Sequence, residues 1–263
     1  MPIFSANLGF LFTELPFLER FQAAADCGFR SVEFMFPYDY AAHELRERLD
    51  EAGVSLDLFN LPAGDFAAGE RGTAALPTRR ADFREGVEAA IGYAAKLGTG
   101  KLNCLVGVRE PALPWDDQYA CLVENLGWAA ARVGSSGRTL HIEQLNPTET
   151  PGFFLDSLEV AERLLADVDS PHLRLQFDVY HVQRTQGDVV SALRRLIDRI
   201  GHVQIADSPD RHEPGTGELN FRFVLAELDR LGYQGRVGLE YRPTQATPNT
   251  LQWVTEYGWR LDY

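Results

Sequence analysis

The stretch Thr139-Leu140-His141-Ile142-Glu143-Gln144-Leu145-Asn146 reads as a short β-strand with a carboxylate where a strand ordinarily buries something apolar. Two-residue alternation puts Leu140 and Ile142 on one face and His141 and Glu143 on the other. A half-wet surface strand would show this pattern once. Here it recurs three times downstream. Leu173, Leu175, Phe177 and Val179 alternate with Arg174, Gln176 and Asp178. Val203 and Ile205 alternate with His202 and Gln204, and Val237 and Leu239 with Gly238 and Glu240.

Outward from this stretch, short apolar runs and amphipathic segments take turns along the whole chain. Strands are expected at 4–10, 31–36, 55–61, 101–106, 139–145, 173–179, 202–206 and 236–241. Helices are expected at 16–27, 41–52, 79–97, 114–133, 158–166, 189–200, 221–231 and 250–260. Gly28, Gly53, Gly98 and Gly232 stand just past four of these helices, where a left-handed cap is cheapest for glycine. Eight strand–helix units in 263 residues, with no linker or low-complexity segment, predict a single-domain (β/α)8 TIM barrel over 1–263. A doubly wound open sheet fits less well, because no G-x-G-x-x-G follows the first strand.

Composition narrows the function classes. The chain is 45% hydrophobic and 24% charged, with a formal net charge of −13, so a nucleic-acid partner is not expected. Cys27, Cys104 and Cys121 are odd in number and far apart, which suits reduced thiols in a cytoplasmic protein rather than a disulfide framework. No signal-like N-terminus and no run of apolar residues long enough for a membrane span is present.

Barrel chemistry sits at the C-terminal ends of the strands. The parity split puts Glu143, Asp178, Gln204 and Glu240 there, on four successive strands and pointing at one axis. Three carboxylates cannot share such a mouth without a cation, since repulsion and desolvation would force protonation. Three carboxylates and an amide oxygen form an all-oxygen shell, which suits one divalent cation, Mg²⁺ or Mn²⁺. His181 is expected in a loop above the sixth strand, within reach of a substrate oxygen, and His202 and His141 deeper in the barrel. Asn146 and Glu149 follow the fifth strand. Arg211 and Arg242, with Arg71 in the Gly-rich segment after the third strand, are candidate partners for an anionic substrate group; a surface position is the ordinary alternative for each. Phe34, Phe36, Tyr38 and Phe59 are expected in the core, with one or two walling a pocket.

Longer blocks carry a family resemblance: F-S-A-N-L at 4–8, V-E-F-M-F-P-Y-D-Y at 32–40, N-L-P-A-G-D at 60–65, A-A-G-E-R-G at 67–72 and K-L-N-C-L-V-G at 101–107. They continue with Q-F-D-V-Y-H at 176–181, G-H-V-Q-I-A-D at 201–207, E-P-G-T-G-E at 213–218 and V-G-L-E-Y at 237–241. With these the chain resembles the hydroxypyruvate isomerase family of the xylose isomerase-like barrels over nearly its whole length. The resemblance implies a divalent metal at Glu143, Asp178, Gln204 and Glu240, with Glu143 and Glu240 as acid/base residues. It implies a small anionic 2-oxo acid or short sugar acid as substrate and leaves the oligomeric state open, a homo-oligomer included. Gln204 stands where ketose 3-epimerases usually carry His, which disfavours an epimerase. The E-Q-L-N at 143–146 departs from an expected E-P-I-N without changing charge or spacing. The 2-oxo-tetronate isomerases share the same blocks. The competing readings are a metal-dependent abasic-site nuclease, which would need a basic groove, and a non-catalytic sugar-binding barrel.

Overall fold

A computed structural model describes residues 2–261 as eight parallel strands closing on themselves in sequence order. The strands are β1 (Ile3–Asn7), β2 (Ser31–Phe34), β3 (Ser55–Asn60), β4 (Lys101–Cys104), β5 (Thr139–Glu143), β6 (Leu173–Asp178), β7 (Ile200–Ile205) and β8 (Arg236–Leu239). The β1–β8 pairing closes the ring. The helices are α1 (Arg20–Asp26), α2 (Ala42–Ala52), α3 (Arg80–Leu97), α4 (Trp115–Ser135), α5 (Leu158–Val168), α6 (Val179–Thr185), α7 (Val189–Leu196), α8 (Phe221–Arg230) and α9 (Gln252–Glu256). The expected barrel is therefore the observed one.

The alternation explains the layering. Leu140, Ile142, Val203, Ile205, Val237 and Leu239 are fully buried between strands and outer helices, leaving their neighbours for the barrel interior. Parallel pairing then fixes which inward residues meet: Glu143 lies opposite Gln176, and Asp178 opposite Gln204. Gly53 and Gly98 end α2 and α3 at φ of 66° and 79°, as the glycine pattern predicts.

Three expectations shift. The first strand stops at Asn7, and the chain turns there through Leu11, whose amide donates to the Asn7 carbonyl at 2.8 Å, instead of running on to Phe10. The terminal helix is shorter than expected, a 3-10 turn (Thr247–Thr250) followed by α9. His181 lies in helix α6 and not in a loop. The reason is local: the Asp178 carboxylate accepts the Tyr180 amide at 2.8 Å and caps a helix directly at the strand end. Among the described residues no helix is long and apolar enough to cross a membrane.

Candidate active site

At the C-terminal mouth, a cavity of about 300 Å³ is lined by Glu143, Gln176, His181, Arg211 and Glu240, with Phe10 and Phe66 on its wall. This is the small end of ligand pockets. Phe34 and Phe59 pack in the core instead, and Phe36 backs Phe66 at 5.0 Å between ring centres. A larger cleft of about 770 Å³ lies at the barrel's side, beside α1 and α2, away from the strand ends.

A continuous amide network holds the mouth. Gln176 Nε2 donates to Glu143 Oε2 at 2.9 Å and to Gln204 Oε1 at 2.6 Å. Gln204 Nε2 in turn donates to Glu240 Oε1 at 3.1 Å and Glu33 Oε1 at 2.7 Å. Asn7 joins the same two carboxylates, at 2.9 Å and 3.1 Å, and Asn103 donates to Glu143 at 3.2 Å. Four strands thereby fix Glu143 and Glu240 by side-chain amides, which donate hydrogen bonds without adding charge.

Arg211 provides the positive charge. It is buried, with its Nη2 2.5 Å from Glu240 and 3.4 Å from Asp178 and its Nη1 2.8 Å from Glu149. Phe10 and Tyr180 flank its plane at 4.7 and 5.0 Å. The surface alternative for this residue is excluded. Its loop is shaped by Asp207, whose carboxylate accepts the amides of Ser208, Gly215, Gly217 and Leu219 at 2.9 to 3.1 Å.

One guanidinium does not balance the carboxylates. Burial, then the charge of Asp178, pushes Glu143 up to about 8. Burial also raises Glu240 well above the usual carboxylate range, and Asp178 in the same direction, although Arg211 pulls both down. The donor set thus fits a cation: three buried carboxyls all have their pKa pushed up for want of positive charge. Ligand atoms of Glu143, Asp178 and His181 lie within 4.8 Å of one another. Gln204 adjoins them through Gln176 and Glu240.

His181 is neutral, its pKa lowered well below normal by burial and by Arg211. Its Nδ1 accepts the Asn146 amide at 3.1 Å, so Nε2 carries the proton and faces Asp178 Oδ2 at 3.5 Å. Glu149 takes the Tyr180 hydroxyl at 3.0 Å besides Arg211. Arg71 lines the cavity, and Arg242 reaches Glu149 at 3.7 Å. The mouth therefore brings Glu143, Asp178, Gln204, Glu240, His181, Arg211 and Glu149 together, with Arg71 at the cavity wall.

Sequence reasoning passes over Glu33, although Val32 and Phe34 flank it in the alternation used for the last four strands. It points inward, 2.8 Å from His202 and beneath Gln204. Gly238 makes this possible: a methyl group there would run into the Glu33 carboxylate. Gln176 carries the same alternation signal, between Leu175 and Phe177, whereas Asn7 and Asn103 are lone amides of a kind common in strands.

The xylose isomerase-like TIM barrel profile matches residues 21–259. The chain is 47% identical to hydroxypyruvate isomerase of Escherichia coli K12, over 97% of this chain and 98% of that one. It is 45% identical to 2-oxo-tetronate isomerase of Cupriavidus necator, over 98% and 99%. A crystal structure of AP endonuclease, family 2, from Brucella melitensis superposes with a TM-score of 0.94 at 41% identity, covering 98% of this chain and 99% of that one. The chain belongs to the xylose isomerase-like TIM barrel family, alongside its hydroxypyruvate and 2-oxo-tetronate isomerases.

Proposed function

We propose that this isomerase interconverts hydroxypyruvate and 2-hydroxy-3-oxopropanoate (tartronate semialdehyde) by a 1,2 proton shift. The observation that carries the reading is the pair of buried carboxyls on opposite sides of one small cavity, Glu143 at the end of β5 and Glu240 just past β8, both pushed toward the protonated form. A group that gives and takes protons near neutral pH works best when its pKa lies near the working pH. One glutamate removes the proton from the carbon bearing the hydroxyl and the other returns a proton to the neighbouring carbon, while the hydroxyl proton passes to the former carbonyl oxygen. The amides of Asn103 and Gln176 on one side, and of Asn7 and Gln204 on the other, hold each carboxyl in place through both steps. His181, in the cavity lining with its Nε2–H, is the donor for the developing oxyanion, while Arg211 holds Glu240.

Glu143, Asp178, Gln204 and Glu240 would hold the divalent cation, Mg²⁺ or Mn²⁺ by ligand type. When bound, it supplies Lewis-acid polarisation of the substrate carbonyl and the adjacent hydroxyl.

The four-carbon 2-oxo-tetronate is the second reading, favoured by the nearly equal identity to an isomerase of that name. An endonuclease reading, despite the name of the Brucella relative, meets an acid-rich mouth and a net charge of −13, both of which repel a phosphate backbone. The free thiols of Cys27, Cys104 and Cys121 suit a reducing compartment, and we place the protein in the cytoplasm. Turnover of hydroxypyruvate and 2-oxo-tetronate, each with Mg²⁺, with Mn²⁺ and with chelator, tests the proposal. We expect metal-dependent turnover, faster on hydroxypyruvate; faster turnover of the four-carbon acid would select the second reading, and none on either would overturn both.

A further inference from the structure

We infer that Arg71 is the anchor for the substrate carboxylate and so selects 2-oxo acids over neutral ketoses; this rests on the isomerase reading above. Among the described residues, three arginines line the cavity: Arg71, Arg211 and Arg242. Arg211 is already committed to Glu240, Asp178 and Glu149, and it lies over the Phe10 and Tyr180 rings. A substrate anion there would meet three carboxylates at once. Arg242 is 58% exposed and turned toward Glu149, so water screens its charge.

Arg71 differs from both. No carboxylate pairs with it among the described residues, in a protein with thirteen excess negative charges. Its guanidinium lies flat on the Phe66 ring, 3.8 Å from the centre. Nη1 donates to the carbonyls of Phe66 and Glu70 at 3.0 and 2.8 Å. Among the described residues Nε and Nη2 have no protein acceptor, and Arg71 is a half-buried residue of the cavity lining. The adjacent carboxylate is turned away: Glu70 accepts the Asp65 amide at 2.6 Å and pairs with Arg79 at 2.7 Å.

The segment that carries Arg71 is pinned. Gly72, at φ +105°, packs so close to the barrel that a Cβ would collide with the Leu105 carbonyl, and its amide donates to Ala63 at 2.9 Å. A stacked, immobilised guanidinium with one open edge is built to receive a planar two-oxygen anion. The carboxylate of a three-carbon 2-oxo acid fits that edge while its keto and hydroxyl carbons lie toward Glu143 and Glu240. Holding the anion there also keeps it away from those two acidic groups.

The test compares wild-type, Arg71→Gln and Arg71→Lys proteins in their metal-loaded form. Four quantities are measured: kcat and KM on hydroxypyruvate, and the competitive inhibition constants of pyruvate and of neutral hydroxyacetone. A charge-assisted pair of this kind supports an expected KM increase of about 30- to 100-fold in Arg71→Gln, with kcat within about threefold. The pyruvate inhibition constant should rise by a similar factor, hydroxyacetone inhibition should not move, and Arg71→Lys should recover part of the loss. Equal weakening of charged and neutral inhibitors would mean that the residue only shapes the loop, and an unchanged KM would mean that it does not touch the anion; either result overturns the inference. Absence of turnover by the wild type would overturn the isomerase reading instead. Pyruvate binding by calorimetry on the same three proteins then decides the role of Arg71 by itself, weaker binding to Arg71→Gln supporting it and equal binding overturning it.

Discussion

The barrel interior holds two polar layers whose acidic groups are all buried and which behave in opposite ways. The lower one gathers Glu33, Asp57, His202, Lys101 and Arg236. Asp57 lies 3.1 Å from Lys101 and 3.4 Å from both Arg236 and His202. Burial works to raise its pKa, and those three neighbours more than reverse this, leaving it below the usual carboxylate range. The upper layer has Glu143, Asp178 and Glu240 against Arg211, and its carboxyls are pushed up. Desolvation is common to both layers; the count of neighbouring cations differs. A balanced layer stabilises the barrel, whereas an unbalanced one keeps protons available and has room for a further cation. His202 and Asp57 with Glu33 also have ligand atoms close enough to hold a metal, but Lys101 already supplies the charge there.

The contrast breaks down if the layers respond alike to substitution. Glu240→Gln should cut turnover about 1000-fold or more while circular dichroism and the melting temperature stay close to wild type. Asp57→Asn should do the reverse: a loss of about 3 kcal/mol in denaturant-derived stability, with kcat within a few-fold of wild type. A collapse in turnover without a change in stability for Asp57→Asn would merge the two layers into one functional unit.

The pH dependence should carry opposite signs. Asp57 is depressed in the folded protein, so its contribution is present above the unfolded-state value and is lost as pH falls through the folded one. Asp57→Asn should therefore flatten the acid limb of the stability profile. Glu143 is raised to about 8, so the native state holds a proton that the unfolded chain releases, and stability falls as pH climbs from about 4.5 through 8. In chelator-treated protein, Glu143→Gln should thus raise stability at pH 9 and leave it almost unchanged at pH 4. Thermal melts of the two variants from about pH 2 to about pH 9 check both signs.

The smallest effect is expected at the seam between the layers. Gly238→Ala pushes a methyl group into the Glu33 carboxylate, which also receives Asn7 and Gln204 from above. A loss of about 1–2 kcal/mol in stability should come with a modest fall in turnover, because Glu240 is held by the same two amides. Unfolding curves and initial rates on one preparation would show whether the two move together.

The fold was legible because two-residue alternation survives wherever one face of a strand meets helices; Leu140, Ile142, Val203 and Leu239 announce it. The upper layer was legible for the same reason, as polar residues interrupting that alternation near strand ends. Glu33 obeys the rule too, on a strand earlier in the chain. What alternation could not supply was the partnering. Arg211 sits 33 residues from Asp178 and 62 from Glu149 along the chain, and only closure of the barrel reveals that it is buried among them. Helix α6 was hidden because a single capping carboxylate decides it, and Asp178 was already read as a strand end.

The proposal that two separate glutamates move the proton is tested most directly by running the reaction in heavy water. Hydroxypyruvate is converted by the metal-loaded protein in D₂O, and the aldehyde product is observed directly, apart from the ketone substrate, at early conversion. Its C2 position is then read by NMR against an enzyme-free control. Because one carboxyl takes the substrate proton and a different one, exchanged with solvent, returns another, close to one deuterium per product molecule should appear at C2 in the first turnovers. A product free of solvent deuterium would mean that the original hydrogen is carried straight across, and would contradict the assignment of Glu143 and Glu240 as a base and acid pair.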